Sequence, residues 1–314
     1  MPNLRDIFDR CAIRASELED SLDVTGVDVG FPPRAECGEM TDESLKVRVH
    51  HKNQQSQLTV KFLSLTHAAE DGEIDLVVNY SRKPASESPQ PKGLIIEDSG
   101  SEFTGPIQPG TSISRNGNSR HGTLGLIVRR VAPKFDGHFG LSCAHVIKYV
   151  SPGSLREVYC PAKSLNPIGL VSTLYDGRFG DAACFEFTRS PATLKYEQRI
   201  TNDLVLAARF ARLGEVVKKC GMCTDDTTGR VDGFGYYRLD KGEKFMLGFR
   251  VRRCPGDKNP LSAAGDSGAV WYSPDDKRGL GLATAYSTDN SENYAIASHL
   301  PCVLETLGVE IAGR

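Results

Sequence analysis

Apolar and polar residues follow two different rhythms along this chain. Leu4, Ile7, Phe8, Cys11, Ala15 and Leu18 recur at helical spacing, which predicts an amphipathic helix over residues 4 to 19. Short alternating or β-branched runs then take over at Val24 to Phe31, Leu45 to Val49, Leu58 to Phe62 and Ile74 to Val78, each bounded by polar turns and read as a strand. Together they predict a small α+β sandwich. Arg82 to Lys92 and Ser99 to Thr111 are rich in Pro, Ser and Gly and read as loop or linker, with apolar Gly93 to Ile96 between them as a last strand of the first module. After residue 112 short strands separated by glycines dominate: Leu124 to Val128, Phe139 to Cys143, Gly169 to Leu174, Ala182 to Phe187, Val216 to Cys220, Phe245 to Arg250, Ala269 to Tyr272 and Gly281 to Ala285. Such spacing predicts an all-β barrel or sandwich, closed by one short helix after Pro301. The expected division is an N-terminal α+β module over 1–98, a linker over 99–112 and a β domain over 113–314.

Composition narrows the classes. At 314 residues the chain is long enough for two modules, and no apolar run approaches the roughly 18 residues of a membrane span. The opening residues do not read as a signal peptide, and nine cysteines, an odd number, fit free thiols in a reducing compartment, so a cytoplasmic setting is expected. A net charge of −2 gives no reason to expect a nucleic-acid or membrane partner. The first hundred residues carry a net −7 and the remainder +5, an asymmetry that favours two modules able to dock.

The sharpest chemical signal is Gly265-Asp266-Ser267-Gly268, followed at once by the apolar run Ala269 to Tyr272. Small residues on a tight turn let the N–H groups of Gly265 and Ser267 point at one place, where an oxyanion would be stabilised. The same string also serves as an ordinary strand-entry turn. A serine nucleophile needs a base within reach. His145 is the best-placed candidate, because Gly140 to Cys143 form an apolar strand running into Ala144-His145, whereas His121 and His138 lie in glycine-flanked loops and His299 lies where a strand approaches the last helix. The base in turn needs a carboxylate on its second ring nitrogen. Asp181 opens the apolar run Ala182 to Phe187 and fits that role; its rival Asp176 sits in a Tyr-Asp-Gly turn.

The order His145, Asp181, Ser267, with the Ala-His, Asp-Ala-Ala and Gly-Asp-Ser-Gly motifs, resembles the chymotrypsin-like (trypsin-like) serine proteases over roughly residues 113 to 314. The resemblance implies two packed six-stranded antiparallel β-barrels with His145 and Asp181 from the first and Ser267 from the second. It also implies peptide-bond hydrolysis through an acyl-enzyme, an oxyanion hole at Gly265 and Ser267, a protein or peptide substrate, and no metal or organic cofactor. The family position at the floor of the primary pocket falls on Leu261, beside Ser262 and Ala263, with walls at Thr284, Ala285 and Tyr286. That suggests a preference for uncharged side chains of small or medium size, unless Asp257 folds inward and favours a basic one.

Several features depart from the family or stand apart from it. Gly122-Thr123-Leu124 offers no Ile or Val terminus to pair with Asp266, so that aspartate requires another partner or an enzyme built active. Cys143 has no evident disulfide partner. Cys220 and Cys223 form a lone CxxC, read as strand-turn cysteines because structural zinc needs four ligands. Arg250, Arg252 and Arg253 read as a solvated face. Val24 to Phe31 and Thr41 to His50 resemble the domain preceding the protease in intracellular narrow-leaf-type trypsin-like proteins and their bacterial relatives, which implies regulation, substrate docking or assembly, in a homo-oligomer or with a regulatory partner. The reading is an intracellular serine endopeptidase. Its rivals are a catalytically silent scaffold and a protease that cuts only itself or one partner, with Arg82 to Pro91 as loop-like candidate cleavage sites.

Overall fold

The computed structural model describes residues 24–30, 46–51, 79–80, 106–115, 121–131, 137–148, 156–162, 166–188, 194–238, 245–254, 260–289 and 292–313. Three N-terminal strands are β1 (Val24–Gly30), β2 (Lys46–His51) and β3 (Asn79–Tyr80). A first curled sheet contains β4 (Ser112–Arg115), β5 (His121–Thr123), β6 (Leu126–Arg130), β7 (Phe139–Ser142), β8 (Glu157–Tyr159), β9 (Pro167–Gly177) and β10 (Gly180–Phe187). A second holds β11 (Val216–Gly221), β12 (Asp225–Arg238), β13 (Phe245–Arg253), β14 (Val270–Tyr272), β15 (Gly279–Asp289) and β16 (Glu292–His299). The chain ends with helix Leu300–Leu307 and β17 (Val309–Ile311), which returns to pair with β6 in the first sheet.

Buried apolar runs explain both sheets. In the first, the order is β17-β6-β7-β10-β9-β8-β4-β5, and the inward residues Leu126, Phe139, Leu141, Val158 and Phe185 form one core. β10 is buried from Gly180 to Phe185, as expected of a strand covered on both faces, and a bulge between Cys184 and Phe185 helps it curl. In the second, β11-β14-β15-β16-β13-β12 closes on itself through β11–β12 pairing, giving a six-stranded barrel around Val217, Val231, Phe249 and Trp271. Closure removes the open edges. The terminal helix buries Leu300, Val303, Leu304 and Leu307, which join the first core, and it starts with Pro301 in its first turn.

Three details differ from the sequence reading. β1 and β2 form where the pattern places them, but among the described residues they extend the second sheet, in the order β12-β1-β2-β3. β12 is long enough for this: Asp225 to Arg230 pair with β11, and Gly233 to Tyr237 pair with β1. Residues 106–112, whose composition reads as linker, contribute to the first core through fully buried Ile107, and the Gly110 N–H donates to the Leu124 carbonyl at 2.7 Å. Arg250 is no part of a solvated face. It lies on the face of β13 opposite the core residues Phe249 and Val251, is buried there, and forms a two-pronged ion pair with buried Asp232 at 2.8 and 2.7 Å, as a buried cation requires. The expected helix at 4–19, the strands at 58–62, 74–78 and 93–96, and Asp257 lie outside the described residues.

Candidate active site

The chain leaves β7 at Ser142 and makes a single helical turn, Ala144–Ile147, whose Ala144, Val146 and Ile147 are buried and whose His145 ring is half exposed. One carboxylate fixes that ring. Asp181, near the start of β10 and 2% exposed, accepts the His145 backbone N–H at 3.0 Å through Oδ1. Its Oδ2 lies in hydrogen-bond contact with His145 Nδ1. Gripping main chain and ring together sets both the position of the turn and the direction of the imidazole, with Nε2 on the side of the ring away from Asp181. The rival Asp176 faces Asp181 across the β9–β10 ladder, but it is exposed and pairs with Lys148 at 3.1 Å.

Ser267 comes from the segment between β13 and β14. Gly265 has φ +106°, a conformation strained for any residue with a side chain, so the turn needs glycine there. Within the turn the Asp266 N–H bonds the Ala263 carbonyl, the Gly268 N–H that of Ala283, and the Ala269 N–H that of Asp266. The N–H groups of Gly265 and Ser267 are donors that the turn itself does not use. Contacts fasten the turn to the first sheet: the Ser267 carbonyl accepts the Thr123 N–H at 2.8 Å, and the Gly265 carbonyl accepts the Thr123 hydroxyl at 2.8 Å. A side chain at Gly122 would meet Val146 at 2.5 Å and the Ser267 carbonyl at 2.9 Å, so the turn bearing the serine and the turn bearing the histidine flank one glycine.

Asp266 has a partner that the sequence reading did not assign. Lys219, from β11, is fully buried, and its ammonium meets Asp266 Oδ2 at 2.8 Å. Thr224 accepts from Lys219 at 2.7 Å and donates to the same carboxylate at 2.6 Å. The N–H groups of Cys223, Ala263 and Thr224 complete the shell at 2.9, 3.0 and 3.2 Å. Burial alone would raise this carboxyl's pKa, but the Lys219 charge and these donors hold it below the usual carboxylate range. The signal was legible in principle: β11 has a lysine pair, and strand alternation sends Lys218 outward and Lys219 inward.

Cys143, His145 and Asp181 bring a sulfur, a nitrogen and an oxygen within 4.8 Å of one another. Metal binding would require a thiolate, and burial, followed by the Asp181 charge, pushes the Cys143 pKa well above its ordinary value. Its thiol donates to the Ala283 carbonyl at 3.1 Å. Among the described residues the cysteines are free thiols, Cys220 sitting in β11 and Cys223 in the turn that follows it.

The residues expected to form the pocket are divided. Leu261 is buried in the second barrel core with Val231, Val251 and Trp271. Ser262 and Ala263 direct a hydroxyl and an N–H to Asp266, at 3.4 and 3.0 Å. A bulge between Ala283 and Ala285 carries Thr284, whose hydroxyl bonds the Ile296 carbonyl at 3.1 Å. Ala285 packs toward Tyr237, Met246 and Ile296, away from Leu261. Tyr286 is half-buried against the same core as Leu261, and its hydroxyl lies near the Ala264 N–H and Asp266.

No protein-family model and no curated protein matches this sequence. Solved structures do. A glutamic-acid-specific serine protease superposes with a TM-score of 0.52 at 18% identity, over 66% of this chain and 100% of that one. Thermobifida fusca protease A gives 0.50 at 18% identity and a Nocardiopsis protease 0.50 at 16%, each over 66% of this chain and 99% of theirs. The two β-barrel-like sheets therefore have the chymotrypsin-like serine-protease fold.

Proposed function

We propose that this protein is a serine endopeptidase in which Ser267 attacks the scissile carbonyl, His145 takes its proton and returns it to the leaving amine, and Asp181 fixes the imidazole tautomer and stabilises the imidazolium. The N–H groups of Gly265 and Ser267 form the oxyanion hole. One observation carries the reading: Asp181 holds the backbone and ring of His145 together, while the Ser267 turn is fastened through Thr123 to the strand packed on that same helical turn. That arrangement is of no use to a strand-entry turn. The buried Lys219–Asp266 pair supports an enzyme built active, since the charge that orders the nucleophile turn comes from within the chain.

With Leu261 as an apolar floor and Tyr286 packed against the same core, the primary pocket favours uncharged side chains of small or medium size. The N-terminal strands serve regulation, and free thiols support a reducing, cytoplasmic setting. A fluorophosphonate probe tests the chemistry. The wild type labels at Ser267 and Ser267→Ala does not; absence of labelling in the wild type under all conditions refutes the enzyme in favour of a scaffold. Turnover of a peptide library by the wild type separates a general protease from one that cuts only itself or a single partner.

A further inference from the structure

Asp181 stands one residue beyond the β9–β10 turn, and that turn rests on the second sheet. Its Arg178 carbonyl accepts the Leu247 N–H of β13 at 2.7 Å. The Arg178 guanidinium donates to the Tyr236 hydroxyl of β12 at 3.2 Å and lies over the Tyr236 ring, 5.3 Å from its centre. Gly180 is packed so closely on Ser298 and Val303 that an added Cβ would meet them at 3.2 and 3.0 Å. The part of the β12–β13 hairpin that receives the turn lies beyond the end of β11, so its outer edge, Gly233 to Tyr237, is paired among the described residues by β1 alone. β1 is seated firmly. Buried Asp28 accepts the Tyr237 hydroxyl at 2.6 Å, and Gly235 lets the strands approach so closely that a Cβ there would lie 2.2 Å from the Val27 carbonyl.

We infer that β1 braces the active site from outside it: pairing with β12 stiffens the hairpin, the hairpin holds the β9–β10 turn through Arg178, and the turn fixes Asp181 against His145. Arg178 is thus a positioning residue, and the N-terminal segment regulates the proposed triad by occupying or leaving the β12 edge. An unpaired five-residue edge is frayed by water, and local fraying is the low-energy motion such a hairpin has available. Displacement of a catalytic group by about 1 Å lowers turnover by as much as about a hundredfold. This inference rests on the protease reading for its effect on turnover, but not for its effect on the His145–Asp181 contact.

The test uses the full chain with 15N-labelled histidine, following the low-field proton on His145 Nδ1, with peptide turnover in parallel. Tyr236→Phe removes only the hydroxyl on Arg178, Arg178→Ala removes the side-chain brace, and Gly235→Val unseats β1. Each is expected to weaken the low-field resonance, because a retracted carboxylate holds the Nδ1 proton less tightly. kcat falls about tenfold in Arg178→Ala with KM nearly constant, and Arg178→Lys, which keeps a cation over the Tyr236 ring, recovers part of it. Should Tyr236→Phe and Arg178→Ala, both folded, keep the wild-type resonance, the brace is refuted. If the resonance responds while neither wild type nor variant cleaves or labels, the brace stands and the protease reading falls.

Discussion

Replacing Lys219 with methionine keeps the side chain's length and removes its charge. Lys219 and Asp266 are both fully buried at 2.8 Å, so the carboxylate would lose its only ion-pair partner among the described residues while keeping five neutral donors, the Thr224 and Ser262 hydroxyls and the N–H groups of Cys223, Thr224 and Ala263. At an effective dielectric of 20 two charges about 4 Å apart attract by about 4 kcal/mol, and removing one member of a buried pair typically costs about 3–5 kcal/mol. The carboxyl can escape part of that cost by keeping its proton. The sign of the pH dependence then reverses. In the wild type Asp266 titrates below its usual 3.8, so its contribution is present above that pH and lost as pH falls through the folded-state value. In Lys219→Met the folded-state pKa rises above the unfolded one, so stability declines as pH climbs from about 4 toward neutrality. Urea unfolding at pH 5 and pH 8 measures this directly. The variant should lose about 3 kcal/mol or more relative to wild type at pH 8 and clearly less at pH 5, and adding Asp266→Asn should restore much of the loss by leaving no bare charge. A variant within 1 kcal/mol of wild type at both pH values would refute the assignment of Lys219 as the electrostatic anchor of the nucleophile turn.

His299 sits fully buried between the rings of Phe210, Phe234 and Phe249, where burial lowers its pKa to about 4 despite a bond to the Gly248 backbone. The unfolded chain therefore binds this proton first, and about 3 kcal/mol of stability is lost as pH falls from 6.5 to about 4. The unfolding slope over that window should be flatter by close to one proton in His299→Phe, and equal slopes would contradict it. Leu261→Ala should cost about 2–5 kcal/mol of stability and, by deepening the proposed pocket, shift peptide-library cleavage toward larger uncharged residues. An unchanged library profile in a folded Leu261→Ala protein would remove Leu261 from the pocket.

The sequence was most legible where chemistry and local geometry coincide. Apolar runs cut by glycine mark β7, β10, β11, β13 and β15 within a few residues, because a strand buried on one or both faces must show its period. His145 and Asp181 were readable because each stands where an apolar strand begins or ends, and those are the places where a fold can support a polar side chain. Less legible was whatever depends on a distant partner. Arg250 in the string Arg-Val-Arg-Arg looks like surface; only the pairing of β13 with β12 shows that it meets Asp232, eighteen residues away, in a two-pronged ion pair. β1 has a clear strand pattern, yet nothing in it reveals that, besides β2, its neighbour is β12, some two hundred residues later. Pairing partners are set by which edge remains open, and β12 has an open edge only because β11 is shorter than it is.

The same distinction explains why the members of the proposed triad can be identified one at a time while what joins their two sheets cannot. Asp181 and His145 belong to one sheet and are aligned by its ladder, where Ala183 pairs with Ser142 at the end of β7. Ser267 belongs to the other, and the two sheets meet through Thr123, a residue with no catalytic character. It spends its N–H on Ser267, its carbonyl on the Ser142 hydroxyl at 2.9 Å, and its own hydroxyl both on Gly265 as donor and on the Met222 N–H as acceptor at 3.1 Å. A hydroxyl supplies one proton and can accept another, so threonine satisfies both sides of the seam at once, whereas valine, its closest match in shape, would leave a half-buried carbonyl and a half-buried N–H without this partner. The joint between the barrels is therefore as demanding of residue type as the chemistry it assembles, although its three-atom code is written across four separate stretches of chain.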